Sequence, residues 1–160
     1  MPTPGSRRRS VPTTASPDAG SVPYEYAVVR IVPRVERGER VNAGVVLFCR
    51  GRRFVGVALG LEPHHRDILR VLDPVIDLER VQDRLNAMRA VAEGRDSTGP
   101  IGALGAAERF RWLVAPSSTV IQPSAVHAGR CHDPGVTLAA LYRSLVAPLI
   151  VDGAREPTGS

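Results

Sequence analysis

The stretch Tyr24–Cys49, YEYAVVRIVPRVERGERVNAGVVLFC, constrains the fold more than any other part of the chain. Tyr24–Val32 is rich in β-branched and aromatic residues and is stopped by Pro33, and Val41–Cys49 is a second apolar run. Both read as strands. The first alternates Tyr24, Tyr26, Val28, Arg30, Val32 with Glu25, Ala27, Val29, Ile31. Both faces are mostly apolar, which places this strand inside a sheet. Arg34–Arg40 is a charged loop turned by Gly38. Phe54–Leu59 reads as a third strand, reached through Arg50-Gly51-Arg52-Arg53, a hairpin-sized connector whose glycine can supply a positive φ. Three consecutive strands with short loops make an antiparallel meander.

Beyond Leu59 the hydrophobic period changes from two to 3.6. Pro63–Leu72 predicts a short helix with Ile68, Leu69 and Leu72 on one side. Asp77 is an N-cap for a longer helix to about Ala92, with Leu78, Val81, Leu85, Met88 and Ala92 at helical spacing and Gly94 at its end. Gly94–Gly105 reads as a loop. Ala106–Leu113 follows as a helix with Trp112 facing the core. Thr119–Gln122 and Ala125–Ala128 read as one or two short strands. Asp133 and Pro134 form an N-cap and first-turn pair for a last helix to about Val146, which buries Leu138, Leu141, Tyr142 and Leu145. The fold class is therefore α+β: a mainly antiparallel sheet, the meander plus one or two later strands, packed with three to four helices.

The chain of 160 residues divides into an N-terminal tail, residues 1–22, a single domain over 23–150, and a flexible C-terminal tail over 151–160. The N-terminal tail is rich in Pro, Ser, Thr and Gly and lacks the large apolar residues that would offset its ordering entropy, so it reads as disordered. Neither disulfides nor a metal is needed to stabilise a domain of this size. No apolar run approaches the ~20 residues of a membrane span. Arg7–Arg9 are not followed by an apolar stretch of signal-peptide type, so a cytoplasmic location with reduced Cys49 and Cys131 is the expectation.

All 21 basic residues are arginine. A chain without lysine cannot use a phosphate-cradling P-loop lysine, a Schiff-base lysine or a kinase strand lysine. Net charge is +5, of which residues 1–22 hold three Arg and one Asp, and the remainder eighteen Arg against fifteen acids. A domain of mixed sign and only 4% aromatic residues makes nucleic acid a poor candidate for the main ligand.

Four polar residues make the first candidate site. Antiparallel pairing brings Arg30 toward the loop end that carries Glu36, Glu39 and Asn42, and a guanidinium fork can hold a carboxylate or phosphate in two bonds. The ordinary alternative, that Arg30 pairs with Glu39 to lock the hairpin while Asn42 satisfies loop backbone, outweighs a site. Gly44 inside strand two implies a bulge or a close backbone approach. Tyr24, Tyr26 and Arg30 share a face that a base could stack on, but core packing accounts better for them. His127 and Asp133 are secondary candidates. With Cys131 and His132 they approach the last helix, although a simple capping role for Asp133 is the stronger reading. His64-His65 reads as an exposed helix start. No Cys/His spacing matches a structural metal site, so no metal and no cofactor are expected.

The strings YxYxVxRxVP at Tyr24–Pro33, GERVNAGVVLF at Gly38–Phe48 and WLxAPSSTVIQPSxVHxG at Trp112–Gly129, with the Asp133-Pro134 pair, resemble the uncharacterised bacterial family DUF3037 over most of Tyr24–Pro148. The family has no established activity. Its members are encoded beside HipA-like kinase proteins, so the resemblance implies an accessory role with such a kinase as partner. The leading expectation is a non-catalytic cytoplasmic protein-interaction module rather than an enzyme. The alternative is a nucleic-acid-processing or phosphate-ester enzyme that uses Arg30, Glu39 and Asn42 on the first hairpin.

Overall fold

The meander forms as its strands imply. In a computed structural model that describes residues 18–149, β1 (Val22–Ile31), β2 (Val41–Cys49) and β3 (Phe54–Leu59) pair antiparallel in sequence order. The chain then forms α1 (Pro63–Leu72), α2 (Leu78–Glu93) and α3 (Ala106–Leu113), returns as β4 (Ile121–Pro123) and β5 (His127–Cys131), and ends in α4 (Pro134–Leu145). Both late strands pair antiparallel with β1, β4 along its Val29–Ile31 end and β5 along its Val22–Tyr26 end. They act as one interrupted strand on the edge of a five-stranded sheet. The fold is α+β.

Alternation along the strands divides the core into two layers. Val29 and Ile31 of β1 and Val46 and Phe48 of β2 face α1, α2 and α3, where Leu69, Leu78, Val81, Leu85, Phe110 and Leu113 are buried. Val45, Leu47 and Cys49 face the other way, with Leu138 of α4, Cys131 and Val146. β2 is buried on both faces, as its unbroken apolar run requires.

Gly44 does mark a bulge: the β1–β2 register shifts between Val29 and Arg30, with Val29 opposite Gly44 and Arg30 opposite Asn42. A Cβ at position 44 would run into Leu59 Cδ2 and lie 2.7 Å from Ala58 O. The close approach, not a positive φ, demands the glycine.

Four local expectations need correction. Strand one starts at Val22, two residues early, because Val22 pairs with Cys131; the tail expected at residues 1–22 therefore ends before it. The β2–β3 connector is a 3₁₀ turn whose left-handed residue is Arg53 (φ 51°), not Gly51. Gly51 packs on Val22, and an added Cβ would lie 3.2 Å from Val22 Cγ1, a tight contact. The late strands begin two residues later than their sequence suggests and end one and three residues later, because pairing with β1 sets their ends. The Gly94–Gly105 loop contains a 3₁₀ segment, Asp96–Ile101. The expectations for residues 1–17 and 150–160 fall outside the described residues.

Candidate functional site

The polar cluster expected on the first hairpin does not assemble. Glu39 is held by Arg37, whose Nε and Nη2 donate to its two carboxylate oxygens at 2.8 and 2.6 Å. A partner two residues away in the same turn costs little ordering and wins over Arg30 across the strand. Glu36 lies 3.9 Å from Arg34, which also donates to Asp73 at 3.1 Å. The expected Arg30–Glu39 lock is absent. Arg30 instead donates from Nη2 to Pro123 O at 3.2 Å, and Asn42 Nδ2 donates to Leu145 O at 3.0 Å. Asn42 thus ties β2 to the end of α4 rather than satisfying the loop. Arg30 and Asn42 are register partners, but each bonds away from the other.

The secondary candidates do not converge either. Asp133 caps α4, its Oδ1 accepting from the N–H groups of Gly135 and Val136 at 2.8 and 3.1 Å. His127 stands on the exposed edge strand, its ring 5.2 Å from Tyr26. Cys131 is buried, and burial first, then the neighbouring Cys49, pushes its thiol pKa up. That is the opposite of what a thiolate nucleophile needs. Among the described residues no group of three potential ligands has the geometry to hold a metal ion. His65 is not an exposed helix start: it is 1% exposed, and its Nδ1 accepts the Glu62 N–H at 3.1 Å.

The concave surface lies elsewhere, between α2 and the segment that leads into β4. Asp77 caps α2 by accepting from Arg80 N–H at 2.9 Å. With Val81 and Leu85 turned into the core, Arg84, Ala87 and Met88 form one wall. The facing wall is Ala115–Pro123. Its shape is fixed by its own bonds: Thr119 N–H to Ser117 Oγ, Thr119 Oγ1 to Ile121 O, and Gln122 Nε2 to Thr119 O. Val32 N–H donates to Val120 O at 2.7 Å and anchors this wall to the sheet. The hollow between the walls is about 440 Å³ and mostly apolar, lined by Met88, Trp112, Leu113, Pro116, Ile121 and Pro123. Through Arg84 and Thr119 it continues into a second hollow of about 390 Å³ beside Arg80, Asp73 and Asp77.

Trp112 is the residue misplaced by sequence reasoning: it is 46% exposed. Phe110 and Leu113 carry the buried stripe of α3 at a spacing of three, and position 112 falls off that stripe. The offset was a readable signal. Electrostatically the groove has a basic end. Asp73 is bonded to Arg34 and Asp77 to a backbone N–H, whereas Arg80 and Arg84 have no ion-pair partner among the described residues.

No curated protein and no solved structure matches this chain. Residues 26–146, from the middle of β1 to the end of α4, match the family described as protein of unknown function (DUF3037). That span contains every strand and helix described above apart from the start of β1. The chain belongs to the DUF3037 family.

Proposed function

We propose that this protein is a non-catalytic cytoplasmic accessory module that holds a segment of a protein partner in the groove between α2 and Ala115–Pro123. The observation that carries the reading is the pairing of a half-exposed Trp112 and Met88 in a concave, apolar hollow with a pre-shaped wall. Aromatic and Met side chains that line a pocket are where binding energy concentrates, and here Trp112 is half-exposed while Met88 is partly buried against the core. Arg80 and Arg84, which have no ion-pair partner among the described residues, favour a partner segment whose apolar residues are followed by carboxylates. A HipA-like kinase, the partner that family resemblance implies, is the proposed owner of that segment.

The groove supports this reading better than the enzyme alternative, whose residues Arg30, Glu39 and Asn42 each bond to other partners and form no hydrogen bond with one another. The test is co-purification of the full chain with a HipA-like kinase encoded beside it. Met88→Glu, which puts a charge on the apolar floor, is expected to weaken capture by about tenfold or more. Arg30→Gln, on another surface, is expected to leave it unchanged. Capture that survives Met88→Glu but fails with Arg30→Gln would overturn the assignment of the groove.

A further inference from the structure

The sheet face that carries α4 is only partly covered. α4 packs on β2 and β3, and the adjacent strip of β1, comprising Tyr24, Tyr26, Val28 and Arg30, stays half-buried. Arg30 stands at the end of this strip, opposite Asn42 on one side and Gln122 on the other. Directly opposed residues share a face. Its guanidinium is charged at any ordinary pH, yet it has no carboxylate within ion-pair distance among the described residues. Glu36 and Glu39, the acids of the adjoining loop, are taken by Arg34 and Arg37.

One bond to Pro123 O uses a single N–H of Arg30, and its Nε is enclosed with no partner. The charge that Arg30 does feel is of its own sign. Burial first, and then Arg40, lower its pKa. Arg40 immediately precedes Val41, the first residue of β2, which pairs with Ile31, the neighbour of Arg30. It is exposed, and its Nε donates only to Gly38 O at 3.3 Å. Two neighbouring cations, one of them half-buried and neither with an ion-pair partner among the described residues, form an arrangement that an anion completes. Four residues back along β1, about 13 Å away, the rings of Tyr26 and His127 lie 5.2 Å apart at the edge of the same half-buried strip.

We infer that Arg30 and Arg40 form an oxyanion site for the phosphate of a small phosphoester, with Tyr26 and His127 as a shelf for the planar base of a mononucleotide. Phosphate suits the site better than a single carboxylate, because its oxygens can accept from both guanidinium groups at once. The NH₂ groups of Asn42 and Gln122 are committed to Leu145 O and Thr119 O, so the arginines supply the donors. This site is separate from the α2 groove and does not depend on the partner proposed for it.

Calorimetry on the full chain at low salt, with inorganic phosphate, AMP and a four-nucleotide DNA strand in turn, tests the inference. Saturable 1:1 binding of phosphate and tighter binding of AMP are expected. Arg30→Gln and Arg40→Gln should each weaken both by about tenfold or more, the scale of a lost charge-assisted bond. His127→Ala, at an exposed position, should weaken AMP but not phosphate. Chemical-shift changes on adding phosphate to the wild-type chain should centre on Arg30, Arg40 and Asn42, a readout that stands even where Arg30→Gln fails to fold. Absence of saturable phosphate binding, shifts centred elsewhere, or full affinity in Arg40→Gln would overturn the site. A DNA strand that binds far more tightly than AMP would overturn the small-molecule assignment and give the phosphate to a polynucleotide.

Discussion

His65 is a titratable group enclosed at the start of α1. Its Nδ1 accepts from Glu62 N–H, while its Nε2 is buried without a hydrogen-bond partner among the described residues. Burial holds its pKa below the ordinary value of about 6.5. His64 adds to this, while the backbone of Val146 and Asn42 and the charge of Glu62 act in the other direction. A lowered histidine pKa means that the unfolded chain takes up the proton more readily than the folded one. This contribution to stability is therefore complete above about pH 6.5 and is lost as pH falls from there toward the folded value. Thermal unfolding followed between pH 7.5 and 5 is expected to show this decline, and His65→Gln should flatten it; equal slopes in both proteins would refute the role. Arg30 makes a complementary case. With no glutamate to strand, Arg30→Met should cost only its bond to Pro123 O, about 1 kcal/mol in urea denaturation. A loss several times larger would mean that Arg30 neutralises a buried charge after all.

At the scale of elements, the bulge is the feature on which the sheet depends. It lets β2 bring Asn42 opposite Arg30 while Val45 and Val46 keep their separate core layers. Gly44→Ala has to displace Leu59 or the Ala58 carbonyl, so a loss of about 1–3 kcal/mol is expected in equilibrium denaturation. A neutral Gly44→Ala would show that β3 can move aside. The strands of the meander and all four helices were readable because each carries its own signal. Alternation or an apolar run marks the strands, Asp77 and Gly94 bracket α2, and Asp133-Pro134 starts α4. β4 and β5 were shifted because three- and five-residue strands have too little pattern of their own. Their ends are decided by what β1 offers for pairing.

For the whole molecule, the N-terminal boundary is a matter of tertiary contacts. Val22 extends β1 against Cys131 and packs over Gly51, and Arg130 reaches back to Ser21 Oγ and O at 3.0 and 2.8 Å. A chain beginning at Asp18 keeps these contacts and should melt within a few degrees of the full chain. One beginning at Pro23 loses them and should be less stable by about 1–2 kcal/mol; equal melting of the two would show that the Val22 end is not part of the cooperative unit. No described helix is long and apolar enough to cross a membrane. Sequence alone determined the α+β class, the meander, the helix caps and the need for glycine at position 44, because periodicity, capping and backbone freedom act over a few neighbouring residues. It could not decide which partner each charge would take. Glu39 pairs with Arg37 rather than Arg30, His65 is buried rather than exposed, and Trp112 falls beside rather than on the buried stripe of α3. The groove beside α2 exists only where distant segments meet, and the Arg30–Arg40 end of the first hairpin gains its His127 neighbour only because β5 pairs with β1. Such meetings are set by long-range packing and by which local pairings have already been satisfied.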